Sequence, residues 1–184
     1  MRQHIMVGSL VLGLSVMTPV IAGAQERVPQ SGSTAVGIDV GAFAPRAPEM
    51  NNSLLFNVLY EYYVTPRASL RTDFGWASPS FNSGGISSLR QVPVRLDVNY
   101  NWEGGRWHPF VGTGVGVYFL QFRSNQQVFG DTENKLGLNL GGGVEYFIHR
   151  NVTVKGEGRY HAIADVRGSD PSGLALTVGL KTYF

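Results

Sequence analysis

The sequence contains no cysteine, few charged residues and, beyond its first two dozen residues, no long apolar run. Without cysteine, the chain has neither disulfides nor a lipid-modified amino-terminal cysteine. Charged residues make up 15% of the 184 residues, against roughly a quarter in an average soluble domain. The 15 basic and 13 acidic residues nearly balance, and no basic cluster occurs, so we expect no nucleic-acid binding.

Glycine and apolar residues are abundant instead. The 24 glycines show no three-residue period, which excludes collagen, and 43% hydrophobic residues exclude a disordered polymer. A chain of this length forms one domain.

The first 24 residues have the pattern of a cleavable export signal. Arg2 supplies a positive charge, residues 5–21 are uncharged and mostly apolar, and Ala22, Gly23 and Ala24 form a small-residue cleavage site. An uncleaved anchor is the alternative, but two glycines and a proline interrupt the run, which is shorter than the ~20 residues of a spanning helix. We predict a signal peptide at 1–24, a short polar leader at 25–33 and one domain at 34–184.

From residue 34 onward, apolar residues recur at every second position, which is the period of a β-strand. No segment shows clear helical spacing. The alternation predicts eight strands, at 35–43, 54–64, 68–76, 91–102, 108–120, 136–147, 151–161 and 173–184. Strands of about 9 to 13 residues suit tilted strands that cross a bilayer and exceed the usual soluble strand of about 5 to 6.

Within these bounds, one parity of each strand is uncharged and apolar, and the other parity carries every charge. The charged positions are Asp39, Glu61, Arg71, Asp73, Arg95, Asp97, Glu145, Lys155, Glu157, Arg159 and Lys181. An unpaired charge in a narrow interior costs several kcal/mol, so these near-cancelling charges predict an interlocked ionic network that fills a barrel lumen. A Lys or Arg facing lipid at the midplane costs about 2 to 4 kcal/mol, so a bilayer favours an uncharged outer face.

Alternation alone leaves open which face points inward, because a secreted soluble barrel of the lipocalin kind would turn its apolar face inside. The glycine distribution favours the opposite arrangement, since small residues suit a crowded lumen better than a solvated face. Glycines of the charged parity are Gly37, Gly41, Gly75, Gly112, Gly114, Gly116, Gly137, Gly141, Gly143 and Gly179; those of the apolar parity are Gly142, Gly156 and Gly158. We therefore predict an apolar outer surface that contacts lipid.

The predicted connections alternate in length. Long connections lie at 44–53, 77–90, 121–135 and 162–172, and short ones at 65–67, 103–107 and 148–150. Bacterial outer membrane barrels place short turns in the periplasm and long loops outside, so both ends of the domain would lie in the periplasm. Aromatic residues on the apolar face predict two interfacial girdles: Tyr62, Tyr100, Trp102, Tyr146 and Phe184 near the short turns, and Phe56, Trp76, Phe119 and Tyr160 near the long loops.

Three segments, PFVGTGVGV at 109–117, LGGGVEY at 140–146 and TVGLKTYF at 177–184, carry a family resemblance. They resemble the small eight-stranded outer membrane barrels, the superfamily that includes the transmembrane domain of outer membrane protein A and opacity-type surface proteins. The resemblance implies an all-β, antiparallel, up-and-down transmembrane barrel in the bacterial outer membrane. It also implies that the barrel assembly machinery reads the last strand, with Gly179, Tyr183 and Phe184, although the family more often has an aromatic or apolar residue where Thr182 stands.

The sequence offers no cofactor or metal motif. The glycines of GTGVG at 112–116 alternate within a strand, which is not the spacing of a nucleotide-binding loop. His108, His149 and His161 are too scattered for a local metal site, and the first two adjoin short turns, where we expect solvated side chains.

His161 has the inward parity just below the last long loop, where Ser169 and Ser172 flank Asp170. A histidine, a serine and a carboxylate form a hydrolytic triad in some enzymes, so a lipid-modifying enzyme is one alternative function. The favoured expectation is a non-enzymatic monomer that anchors four loops, which either bind a host surface, a phage or an envelope protein or are inert. A narrow channel for ions or very small solutes is the other alternative. A wide pore is disfavoured, because eight strands leave room only for side chains.

Overall fold

The computed structural model describes residues 29–82, 88–102, 105–124, 127–128, 131–166 and 168–184. These residues form nine strands: β1 (Thr34–Pro45), β2 (Ser53–Tyr63), β3 (Ala68–Ala77), β4 (Ser88–Asn101), β5 (Trp107–Ser124), β6 (Gln127–Val128), β7 (Glu133–His149), β8 (Val152–Ile163) and β9 (Gly173–Tyr183). The predicted signal peptide at 1–24 lies outside the described residues. Within them, no helix has the length and apolar character needed to cross a membrane.

Eight strands close into an antiparallel barrel, while the two-residue β6 pairs only with the end of β5. Each barrel strand pairs with the next one along the chain, and β1 pairs with β9 to close the cylinder. Ile38 of β1, for example, lies opposite Val58 on one side and Leu180 on the other. The predicted all-β, eight-stranded antiparallel barrel is confirmed.

The strand bounds differ from the predicted ones mainly at the long-loop ends. β4 begins at Ser88 instead of 91, β5 continues to Ser124 instead of 120, and β7 begins at Glu133 instead of 136. The polar residues here interrupt the apolar alternation, but backbone pairing continues, with Arg123 opposite both Ser88 and Val128. Much of the connection predicted at 121–135 is therefore a hairpin that extends the barrel wall.

Successive side chains point to opposite sides of the barrel wall, as the pleat requires. Outward apolar side chains such as Ile38, Leu138 and Val178 are more than half exposed. Inward side chains of the other parity are mostly buried, so the lipocalin-like arrangement with an apolar interior is wrong. At the short-turn ends, Trp107 packs on Tyr146 with ring centroids 4.7 Å apart, which adds Trp107 to the predicted girdle.

Candidate functional site

The barrel interior is filled by three apolar clusters and a charged layer. One of these clusters consists of Phe43, Leu55, Ala77 and Ala175. The turn-end cluster consists of Ala35, Tyr63, Phe147 and Tyr183. The loop-end cluster consists of Ala47, Met50, Leu89, Tyr118, Leu120, Phe122, Ile163 and Val166, with Phe81 packed against it. The ionic core, defined as the eleven charged positions predicted for the lumen, lies between the turn-end and loop-end clusters, and each of its residues is at most 8% exposed.

Arg71 is the central cation of the ionic core. Its Nη1 and Nη2 donate to Oε2 and Oε1 of Glu157 at 3.0 and 2.8 Å, which is the bidentate geometry that a planar guanidinium favours. Its Nε donates to Asp73 Oδ2 at 2.9 Å, and Nη2 also contacts Asp97 at 3.5 Å. One side chain from β3 is thus tied to carboxylates on β3, β4 and β8.

Three further cations neutralise the same group of carboxylates. Lys155 Nζ donates to Asp39 at 2.8 Å and to Glu157 at 2.9 Å. Arg159 Nε donates to Glu157 Oε1 at 2.6 Å, and Arg95 Nη2 lies 3.0 Å from Asp73. Together with Arg71, these bases match the four acids Asp39, Asp73, Asp97 and Glu157 in number, so this part of the core is neutral.

A smaller group surrounds Lys181 toward the turn-end cluster. Lys181 Nζ donates to Glu61 Oε2 at 2.6 Å and to Glu145. Tyr183 also donates to Glu145, and Tyr63 lies within 3.2 Å of the Tyr183 hydroxyl. The Tyr183 hydroxyl thereby helps to satisfy Glu145, the second carboxylate of a group that holds one cation.

Neutral polar residues complete the network, and the charge-based prediction omitted them. Asn139 donates to Asp97 Oδ1 at 2.7 Å, and Asn99 donates to Glu61 at 3.1 Å. Ser69 also donates to Glu61. All three have the inward parity of their strands, which is the signal in the sequence that identifies them.

The hydrogen bonds of the proposed hydrolytic residues do not connect them as a triad would be connected. His161 is buried in the lumen, where its Nδ1 lies 2.8 Å from the Tyr118 hydroxyl. Ser172 Oγ instead bonds with the backbone of Ile163, and the backbone of Ser169 pairs with Val166. Among the described residues, no serine hydroxyl is hydrogen-bonded to His161.

His108 is not solvated, contrary to the sequence-based expectation. It is buried, its Nε2 lies 2.9 Å from the Gly105 carbonyl, and its ring meets Phe147 edge-on at 4.9 Å. β5 begins at Trp107 instead of 108, and the inward parity of position 108 turns the ring under the turn-end cluster. His149 is exposed, as expected.

In the described part of the chain, no three His, Cys, Asp or Glu residues are grouped as metal ligands would be.

The first, second and fourth long loops are joined to one another over the barrel. The backbone N–H of Asn51 donates to the Ser80 carbonyl at 2.8 Å, and that of Asn82 donates to the Glu49 carbonyl at 2.8 Å. Asn51 Nδ2 and Asn82 Nδ2 add side-chain bonds to Ser80 Oγ and the Pro48 carbonyl. The first two loops are therefore held in one arrangement, and Met50 and Phe81 pack into the loop-end cluster beneath them.

The fourth loop is tied to the first. The backbone N–H of Arg46 donates to the Ser172 carbonyl at 2.7 Å, and its guanidinium lies 3.6 Å from Asp170. Hydrogen bonding with the side chain and the backbone of Ser172 holds the pKa of the Asp170 carboxyl below its ordinary value. The carboxylate therefore stays ionised at neutral pH, where it supports the turn and faces Arg46.

The outer face is uncharged within the predicted strand bounds, but the longer observed strands add two charged residues to it. Because β4 and β5 are longer than predicted, they include Arg90 and Arg123, whose parity is outward. Both lie beyond the apolar band, since the last apolar outward residues of these strands are Val92 and Phe119. The apolar band itself carries no charge among the described strand residues.

The three residues of the inferred assembly signal, Gly179, Tyr183 and Phe184, lie in different surroundings. Tyr183 points into the turn-end cluster, whereas Phe184 is 63% exposed on the outer side. Gly179 lies against Asp39, where a Cβ would be 2.0 Å from the carboxylate oxygen Oδ1. The terminal strand therefore contributes to the lumen packing, to the lipid-facing wall and to barrel closure with β1.

A closed barrel with an apolar outer wall, aromatic girdles and a filled charged interior defines a small transmembrane β-barrel. The family model for the outer membrane protein beta-barrel domain matches residues 9–184. The chain belongs to this family, and it is a protein of the bacterial outer membrane. A comparison with curated protein sequences finds no significant match.

Solved structures of small outer membrane barrels have the same fold. Neisserial surface protein A is 13% identical, with a TM-score of 0.67 over 83% of this chain and 96% of that one. OprG from Pseudomonas aeruginosa is also 13% identical, with a TM-score of 0.67 over 84% and 97%. Ail, the attachment invasion locus protein of Yersinia pestis, is 15% identical, with a TM-score of 0.59 over 84% and 100%. At these identities the likeness concerns the fold.

Proposed function

We propose that the protein is a monomeric membrane anchor whose loops mediate adhesion to another cell surface. The observation that carries this proposal is the joined arrangement of the first, second and fourth long loops above a filled barrel. Loops that are already ordered lose less conformational entropy when they bind, so more of the contact energy appears as affinity. The joined loops are therefore better suited to recognition than separate flexible tips.

The filled interior favours an anchor over a channel. A solute that crossed the barrel would have to displace the three apolar clusters and open ion pairs such as Arg71–Glu157. An eight-stranded barrel has an interior just wide enough for its own side chains. The mechanism we propose is accordingly static: the ionic core stiffens the wall, and the wall holds the loops in position.

We also propose that the barrel assembly machinery inserts the chain by reading its last strand. This rests on the resemblance of the segment ending in Tyr183 and Phe184 to the family's assembly signal. The proposal agrees with the position of β9, whose pairing with β1 closes the barrel.

Adhesion of bacteria to an epithelial monolayer tests the proposed function. A Gram-negative host that carries the full chain should adhere several-fold more than the same host without it. The Asn51→Ala/Asn82→Ala variant should lose part of that gain, because the two side-chain bonds between the first two loops are removed while their backbone bonds remain. Asn151→Ala is the matched control, since Asn151 makes a comparable side-chain bond to the Tyr183 carbonyl at the short-turn end.

Two results would contradict the proposal. One is equal adhesion of hosts with and without the chain at equal amounts of folded protein. The other is a steady single-channel conductance in planar bilayers that Arg95→Gln or Asp97→Asn abolishes, which would establish the narrow channel instead.

A further inference from the structure

Arg90 and Arg123 are the only charged side chains that the described strands turn outward. Every other charged residue in those strands has the inward parity, including Glu133 and Lys135 near the loop end of β7. Both residues are basic, and both lie at the long-loop end of the barrel. We therefore expect one physical cause for the two outward charges.

The two arginines are neighbours on the wall. They lie on the paired strands β4 and β5, where Arg90 is opposite Gln121 and Arg123 is opposite Ser88. In such a register they are diagonal neighbours, with backbones about 7–8 Å apart. Below them, Val92 and Phe119 face each other as the last apolar outward pair, so the arginines begin where the apolar band ends.

Neither guanidinium has an acidic partner in the described part of the chain. Nε of Arg90 and Nε of Arg123 are both buried without a hydrogen-bond partner there. Two adjacent like charges repel each other, so this arrangement favours an anion that contacts both. The ionic core shows the contrast, since each of its arginines has at least one carboxylate partner.

We propose that Arg90 and Arg123 form a binding site for a phosphate group of a lipid headgroup in the leaflet on the long-loop side. Lipid phosphates lie just beyond the hydrocarbon layer, at the level where the apolar band of β4 and β5 ends. A guanidinium donates two parallel hydrogen bonds to phosphate, and its aliphatic stem packs along the apolar wall below. The site faces the membrane from strands β4 and β5, where β4 leaves the second long loop.

Lipid binding to the folded full-length barrel in detergent micelles tests the proposal, with native mass spectrometry as the readout. The probe is lipid A, a glycolipid with two phosphate groups, and its dephosphorylated form is the matched lipid. We expect Arg90→Gln and Arg123→Gln each to weaken lipid A binding roughly fivefold, and the double variant by a larger factor. Dephosphorylated lipid A should bind weakly to every variant.

Arg150→Gln is the matched protein control, because it removes the same charge from an exposed short turn at the other end of the barrel. The shift in gel migration between boiled and unboiled samples shows that each variant is folded. The proposal is overturned if the double variant binds lipid A as tightly as the unchanged protein, or if Arg150→Gln weakens binding equally. It is also overturned if inorganic pyrophosphate binds as tightly as lipid A, which would make the site a receptor for a free anion.

Discussion

Gly114 shows how little space the barrel interior leaves beside the ionic core. A Cβ at this position would lie 2.0 Å from Asp97 Oδ1 and 2.3 Å from the Leu96 carbonyl. Gly156, on the outward face of β8, would meet nothing within 4 Å. Gly114 therefore allows β4 and β5 to approach each other closely, whereas open space surrounds the outward face of Gly156.

We expect Gly114→Ala to destabilise the folded barrel by about 1–3 kcal/mol or more, because the new methyl group must displace Asp97 or the strand beside it. Gly156→Ala should leave stability unchanged or raise it by up to about 1 kcal/mol, since Gly weakens a strand interior. Urea unfolding of both variants in detergent micelles measures the difference. Equal stability of the two variants would show that the lumen relaxes around position 114.

At the scale of single elements, β5 and β7 combine two environments along one strand. Their middle segments alternate between lipid and lumen, whereas their loop ends continue as a polar hairpin, with Gln121 bonded to Thr132. Hydrophobic alternation detects only the segments that lie between lipid and lumen. The prediction therefore ended β5 too early and began β7 too late. Backbone pairing continues because its hydrogen bonds do not require apolar side chains.

The outward face of β7 provides a test of the membrane position. Leu140 lies near the middle of the apolar band and is 61% exposed, opposite Thr113 and Tyr160. Leu140→Arg should destabilise the barrel in lipid vesicles by about 2–4 kcal/mol, because it places a charge in the hydrocarbon layer.

Asn134→Arg is the control for this substitution, since it lies on the same face of β7 but at the loop end, opposite Phe119. Its cost should be about 0–1 kcal/mol. Reversible unfolding in vesicles measures both changes. A similar cost at the two positions would place the bilayer elsewhere on the barrel.

At the scale of the whole molecule, the ionic core joins strands that are not neighbours in the sheet. Arg71 of β3 binds Glu157 of β8, and Lys181 of β9 binds Glu61 of β2. These contacts cross the lumen, so the wall is braced from inside as well as by its backbone hydrogen bonds. We expect the barrel to unfold as a single cooperative unit.

Arg71→Met tests this bracing, because it leaves three buried carboxylates without one of their cations. Removing one partner of a buried ion pair costs about 3–5 kcal/mol, whereas an exposed pair contributes about 0–1. Arg46→Met is the control, since Arg46 pairs with Asp170 at the surface. The urea midpoint for conversion of the fast-migrating unboiled band to the boiled position should fall strongly for Arg71→Met only. Equal midpoints would indicate that the lumen charges brace the barrel little.

The sequence by itself determined the number of barrel strands, the two faces of the wall and the set of charges that share the interior. Each follows from the two-residue period of a strand, which converts position along the chain directly into side of the sheet. Tertiary structure alone decided which charges pair, because partners such as Arg71 and Glu157 are far apart in sequence and meet only when the sheet closes. The tertiary structure also decided that the loops join through their backbones, and the register of β4 against β5 decided that Arg90 and Arg123 lie together.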